Sequence, residues 1–143
     1  MKSFLICPVR GKDRDTYATV VAKLEADGFT VHWPPRDTDQ NDPTGLRICR
    51  DNAAAITRAD VVHVIWNGES QGCLFDLGIA FALGKNIVPL DLPPPTGGKS
   101  FQNMMRAWAL DACESGMESR SARPHQTVDA ESSAPNDGGK PNP

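Results

Sequence analysis

No apolar run in the chain is long enough to span a membrane. The first residues, Met-Lys-Ser-Phe-Leu-Ile-Cys-Pro-Val-Arg-Gly, are also too short of apolar side chains for a signal peptide. These absences imply a cytoplasmic protein with no membrane partner. Basic charge is not in excess either: 15 Lys and Arg stand against 18 Asp and Glu. The chain therefore offers no electrostatic footprint for a nucleic acid polymer. Closely spaced cysteines are missing as well. Cys7, Cys49, Cys73 and Cys113 lie far apart, none at a zinc-site spacing, and three fall in apolar segments, as reduced structural thiols do. His32, His63 and His125 have no ligand-like companions, so no metal site is expected, and no internal repeat is visible.

At 143 residues the chain is long enough for one domain with a real core and too short for two of ordinary size. It is organised around residues 66–85, Trp-Asn-Gly-Glu-Ser-Gln-Gly-Cys-Leu-Phe-Asp-Leu-Gly-Ile-Ala-Phe-Ala-Leu-Gly-Lys. An apolar run at 61–66 predicts a buried strand, a polar loop containing Gly68 and Gly72 follows, and a helical pattern then begins. Leu74, Leu77, Ile79, Phe81 and Leu83 make that helix apolar on most of its circumference, and Asp76 sits inside this setting. Two readings stand for Asp76. It is a charge favoured by the dipole near a helix start, or a functional carboxylate just beyond a strand's carboxyl end, where open α/β sheets bind ligands. Ser70 and Gly72 add a hydroxyl and loop amides suited to a phosphate or other anion, which favours the second.

Residues 3–9 form a short apolar run ending at Arg10-Gly11, read as a first, central strand and its turn. Asp13 or Asp15 caps a helix running to about Ala26, with Tyr17, Val20, Val21 and Leu24 at helical spacing and Gly28 past its end. A second strand at 29–33 is stopped by Pro34-Pro35. The polar loop 36–44, with Asp37 and Asp39, is either a solvated turn or a ligand-facing loop; its place beyond a strand's carboxyl end favours the latter. Residues 45–59 read as a helix with Leu46, Ile48, Cys49, Ala53 and Ile56 inward and Arg50, Asp51 and Asn52 near its middle. A fourth strand at 86–92 leads into Pro93-Pro94-Pro95-Thr96-Gly97-Gly98, which cannot be helical, and a last helix at 100–110 carries Phe101, Met104, Met105 and Trp108. From 112 to 143 polar residues dominate. The expected organisation is a folded domain at 1–111 and a disordered tail. Alternating strands and helices imply a parallel sheet covered on both faces, with right-handed crossovers.

Several of these segments together resemble the nucleoside 2-deoxyribosyltransferase superfamily. They are Cys-Pro-Val-Arg-Gly at 7–11, Ala59-Asp60-Val61-Val62, the run from Ser70 through Asp76-Leu77-Gly78 to Gly84-Lys85, and the pattern of 99–106. Within that superfamily the chain is most similar to the 2'-deoxynucleoside 5'-phosphate N-hydrolases, whose signature reads Ser-x-Gly-x-x-x-Glu-Leu-Gly. The resemblance covers about residues 3–108. It implies a flavodoxin-like three-layer α/β fold and cleavage of the N-glycosidic bond of a nucleoside or nucleotide. It also implies no metal or organic cofactor, and a homo-oligomer with sites completed across the interface.

By position, the resemblance makes Asp76 the nucleophile and Ser70 a phosphate- or sugar-contacting serine, and Arg10-Gly11 the phosphate-side loop. Tyr17 matches an aromatic of the first helix, Asn52 an acid that assists base departure, and Ser100 a serine reaching the neighbouring subunit's phosphate site. Such a site is chemically sensible. Base departure leaves oxocarbenium-like charge on the sugar, which an ionised carboxylate stabilises or bonds, while a second polar group assists the leaving base. Three departures stand out: Asp76 is one methylene shorter than Glu, Asn52 has no proton to give, and Pro8 replaces a small hydroxyl residue. Asp51, Asp37 or Asp39 are the candidate substitutes for the missing acid.

The function expected is therefore cleavage or transfer at an N-glycosidic bond. The alternatives are a nucleotide-binding protein of the same fold with weakened chemistry, or a different reaction in the same pocket. Trp66 and Trp33 admit core packing or stacking on a base, and Arg10, Arg36 and Arg47 are either phosphate partners or surface charges. The apolar side of the last helix, Met104, Met105 and Trp108, serves as a subunit contact or closes the monomer core.

Overall fold

The computed structural model describes residues 1–10 and 14–121, with side chains through residue 115. The elements follow in the order β1 (Lys2–Ile6), α1 (Arg14–Ala26), β2 (Thr30–His32), α2 (Pro34–Asp37), α3 (Leu46–Arg58), β3 (Val61–Ile65), α4 (Gln71–Ala82), β4 (Ile87–Asp91) and α5 (Phe101–Ser121). The four strands form one parallel sheet in the order β2-β1-β3-β4. The central strands β1 and β3 are buried along almost their whole length, which is why Phe-Leu-Ile and Val-Val-His-Val-Ile read as continuous rather than alternating apolar runs.

Both faces of the sheet are covered. On one, Phe4, Ile6, Val62, Val64 and Ile87 meet Ala55 and Ile56 of α3, Cys73, Leu77 and Ala80 of α4 and Met105 of α5. On the other, Leu5, Val31 and Ile65 meet Tyr17, Val21 and Leu24 of α1. The strand order and this layering are those of a flavodoxin-like fold.

The element ends differ from expectation in physically readable ways. β1 stops at Ile6 rather than Val9, since Pro8 has no N–H for the ladder. The double proline that ends β2 also opens the short helix α2, occupying its first two positions, where a missing N–H is harmless. The expected polar loop at 36–44 therefore begins as the end of a helix. α5 runs to Ser121, so the expected domain end at 111 falls inside it. A helix anchored by a packed first half propagates cheaply into polar sequence. The rest of the expected tail, 122–143, lies outside the described residues.

Although α4 is apolar on most of its circumference, it buries a single stripe, Cys73, Asp76, Leu77 and Ala80. Phe75, Phe81 and Leu83 point outward and are exposed. No described helix is long and apolar enough to cross a membrane.

Candidate active site

β1 and β3 are neighbours, yet β1 feeds α1 on one face of the sheet and β3 feeds α4 on the other. The crevice where connections leave in opposite directions is the ligand-binding place of open α/β sheets. At that point Cys7, just past the end of β1, lies near Cys73 and Asp76 of α4. The loop into α4 is built by Asn67, whose side-chain oxygen accepts from the backbone N–H groups of Glu69 (3.0 Å) and Ser70 (2.9 Å). Gly68 turns this loop at φ 84°, and a Cβ there would stand 3.2 Å from Pro93 Cγ. Ser70 then caps α4, its hydroxyl accepting from the Cys73 N–H at 3.4 Å. The amides of Gln71 and Gly72 begin the helix without an intrahelical carbonyl. A Cβ on Gly72 would meet only Ser70 Oγ, at 4.0 Å.

Asp76, one turn further, is 9% exposed. Asn52 Nδ2 donates to its Oδ2 at 3.1 Å. The two residues meet because each occupies the inward stripe of its helix, Asn52, Ala55 and Ile56 on α3 and Cys73, Asp76, Leu77 and Ala80 on α4. Burial pushes the Asp76 carboxyl up to about 6, and the amide donated by Asn52 opposes that rise. Among the described residues no lysine or arginine forms an ion pair with it. Burial likewise raises Cys7 to about 12, against the Trp33 indole N–H that donates to its sulfur at 3.3 Å; the nearby Cys73 and Asp76 add to the rise. The result is a carboxylate beside neutral thiols, ionised near neutral pH and poorly solvated. Such a group is a competent nucleophile or cation stabiliser.

The other expected site residues fall in several places. Asp37 Oδ2 accepts from the Trp33 N–H at 2.8 Å and its carboxylate pairs with Arg36, so it holds α2 in place. Arg47 binds both remaining candidate acids, Asp39 at 3.3 Å and Asp51 at 3.5 Å, and donates to the backbone carbonyls of Asp39 and Asn41. Asp39 and Asp51 are exposed. Arg36 also pairs with Glu25, so Arg36 and Arg47 both have protein partners. Trp66 is buried in the core cluster, donates to the Ser70 carbonyl at 3.2 Å and packs edge-on against Phe101. Trp33 is buried beside Cys7. Both indoles are thus packing groups in this structure. Tyr17 is buried under β1 in the α1 cluster. Ser100 accepts from the Asn103 N–H at 3.2 Å and from the Thr96 hydroxyl at 3.0 Å, capping α5. Arg10 is exposed, and Gly11 lies outside the described residues.

Thr38 was not among the expected site residues. It is buried, and its hydroxyl donates to Asn52 Oδ1 at 3.0 Å. Its position between two acids in a polar loop hides it. No spacing in the sequence marks it, because its burial depends on α2 ending at Asp37. Among the described residues no group of three His, Cys, Asp or Glu side chains is arranged to hold a metal ion.

Fold and site together define a flavodoxin-like α/β protein with a buried, amide-braced carboxylate at the switch point of its sheet. Residues 4–105 match the model of the nucleoside 2-deoxyribosyltransferase family, and the chain belongs to that family. Among solved structures it is similar to the 2-deoxyribosyltransferase of Bacillus psychrosaccharolyticus, at 21% identity and a TM-score of 0.57, covering 73% of this chain and 80% of that one. It is also similar to the CMP N-glycosidase of Clostridium botulinum, at 21% identity and a TM-score of 0.51, covering 64% and 71%. No curated protein matches the chain in sequence.

Proposed function

We propose that the protein cleaves or transfers at the N-glycosidic bond of a nucleoside or nucleoside 5'-monophosphate, with Asp76 as the nucleophile. The observation that carries this reading is the carboxylate itself, buried in the inward stripe of α4, braced by Asn52 at 3.1 Å and set at the switch point of the sheet. Membership of the family agrees with it. With Oδ2 held by Asn52, the other oxygen of Asp76 is left to approach the anomeric carbon. That oxygen bonds to the sugar as the base leaves, and water or an acceptor base then breaks the resulting ester. Asn52 cannot protonate the base, and Asp37, Asp39 and Asp51 are paired with Arg36 and Arg47, so the proton for the leaving group comes from solvent. That last point favours a second reading, a nucleotide-binding protein with weakened chemistry. Ser70, Gly72, Tyr17, Arg10 and Ser100 are the proposed contacts to sugar and phosphate, Ser70 and Gly72 through the open start of α4.

Chromatography of wild-type protein incubated with ribo- and deoxyribonucleosides and their 5'-monophosphates, with and without an acceptor base, separates the readings. Release of free base is expected. No release from any of them, together with a rise in melting temperature by the same compounds, gives the binding reading instead.

The protein is further proposed to be a homo-oligomer through the outer sides of α4 and α5. Phe81 packs edge-on against Trp108 at 5.2 Å between ring centres, and beside them Met104, Ala107 and Leu110 line a groove of about 560 Å³. Phe81, Met104 and Leu110 are exposed in the single chain, while Met105 of the expected contact set is fully buried in the core. Exposed apolar side chains grouped in this way, with Asp111 and Glu114 also lining the groove, suit a subunit contact. Phe81→Asp is expected to convert a dimeric wild type to monomer in sedimentation velocity, weakening association about tenfold or more. A monomeric wild type would overturn the assignment.

A further inference from the structure

Behind Asn52 the polar contacts continue away from the crevice. Thr38 Oγ1 donates to Asn52 Oδ1 at 3.0 Å, and His32 Nε2 lies 3.0 Å from the same Thr38 oxygen. The His32 ring lies flat on Phe4, with centroids 5.3 Å apart and planes at 10°. Side chains from β2, the segment after α2, α3 and α4 thus form one file that ends on Asp76.

The charge at the end of the file fixes the direction of every bond in it. An ionised carboxylate only accepts, so Asn52 must turn its amino group toward Asp76 and its carbonyl toward Thr38. The single hydroxyl proton of Thr38 is then committed to that carbonyl. Toward His32, Thr38 Oγ1 is left with the acceptor role, which requires the His32 proton to be on Nε2.

We propose that Thr38, backed by His32, is a positioning residue that locks the Asn52 amide in the orientation that donates to Asp76. Carbonyl and amino ends of an amide are nearly the same size, so packing alone does not choose between them. Without the Thr38 hydroxyl, the orientation that donates to Asp76 leaves the buried Asn52 carbonyl with no donor, so that orientation is held less firmly and the ionised form loses support. The catalytic consequence rests on the reading of Asp76 as nucleophile; the lock itself does not.

The surroundings make the lock measurable. Among the described residues, Cys7 just past β1 and Cys73 from α4 are titratable neighbours of Asp76, and burial raises both thiols, to about 12 and about 11, so they stay neutral while Asp76 titrates. α3 contributes the neutral Asn52. At the far end, burial lowers His32, Asp37 opposes this, and Arg58 and Arg36 add to the lowering, which keeps the ring neutral near pH 7.

The test is a carbon-13 titration of the Asp76 carboxyl in the full chain, its signal identified by loss in Asp76→Asn. In Thr38→Val the midpoint is expected to rise by about one pH unit, the usual worth of a hydrogen bond to a charged group. Thr38→Ser, which keeps the hydroxyl, is expected to restore the wild-type midpoint. A folded Thr38→Val with an unchanged midpoint overturns the proposal. The wild type also tests the lock without any variant: nitrogen-15 shifts above the Asp76 midpoint are expected to show His32 protonated on Nε2, and protonation on Nδ1 alone overturns it. Neither measurement needs turnover. An inactive protein with a locked amide rejects the glycosidase reading and keeps this one, and an active protein with an unlocked amide does the reverse.

Discussion

Asp76→Asn is expected to lower the rate of base release by on the order of a thousandfold or more, because the amide cannot form the glycosyl ester and carries no charge to stabilise the oxocarbenium-like sugar. The substitution keeps the side chain's size and its acceptor oxygen for the Asn52 amide, so the helix pair α3 and α4 is not disturbed. Substrate affinity is expected to change little. The comparison to make is single-turnover base release by wild type and variant, beside binding of the same compound by calorimetry. With the carboxyl raised to about 6, the wild-type rate is expected to fall as pH drops through that value, since only the ionised form attacks. A variant that retains more than about a tenth of the wild-type rate, a loss of only about 1.4 kcal/mol of transition-state stabilisation, would remove Asp76 from the mechanism.

The same substitution is expected to stabilise the fold. A carboxyl raised from 3.8 to about 6 in the folded protein binds its proton more tightly there than in the unfolded chain. Below the unfolded value both states hold the proton, and the residue contributes no penalty. As pH rises through the folded value, the native state must release that proton in apolar surroundings, and stability falls. At 1.36 kcal/mol per unit the deficit above that point is roughly 2–3 kcal/mol. Asp76→Asn should therefore melt higher than wild type by roughly 5 °C at pH 8, and the difference should shrink toward pH 4. Equal melting temperatures across that range would mean that the carboxyl is not desolvated. A catalytic group that weakens its own fold fits a site selected for chemistry.

The two expectations pull apart what Asp76 does for the protein from what it does for the reaction. Replacing a buried leucine in the same stripe of α4 would lower both stability and rate. A nucleophile held in an apolar crevice lowers the one and supplies the other. Asn52 softens the conflict, since its amide donates to the ionised form and partly offsets the burial.

Much of the architecture was legible in the chain. Val61 to Ile65 and Phe4 to Ile6 are apolar without interruption because both faces of a central parallel strand are covered. Asp76 stands out as the one acid in the inward stripe of α4, but on α3 only Ile56 of the expected inward residues is buried: the stripe runs through Asn52, Ala55 and Ile56, and Leu46 is exposed. These signals are local: they depend on spacing along a few turns and on which residues can enter a ladder. The doubled role of Pro34 and Pro35, ending β2 and opening α2, escaped the same reasoning, since a proline forbids a ladder bond and a helix start equally well satisfies that ban.

What the sequence by itself determined is the alternation of the four strands with α1, α3, α4 and α5, and an acid, Asp76, set in an apolar stretch of α4. Only the tertiary structure decided which polar side chains stand with it. Asp37, Asp39 and Asp51 looked like equivalent acids near the site, yet Arg36 and Arg47 hold them, while the unremarked Thr38 turns inward to Asn52. Met104 and Met105 are adjacent and equally apolar, but one is exposed and the other completes the core. The reason is physical. A side chain's periodicity is set within its own helix, but its partner is set by the register between elements remote in the chain, and Asn52 meets Asp76 only after β3 and its loop have brought α3 and α4 side by side.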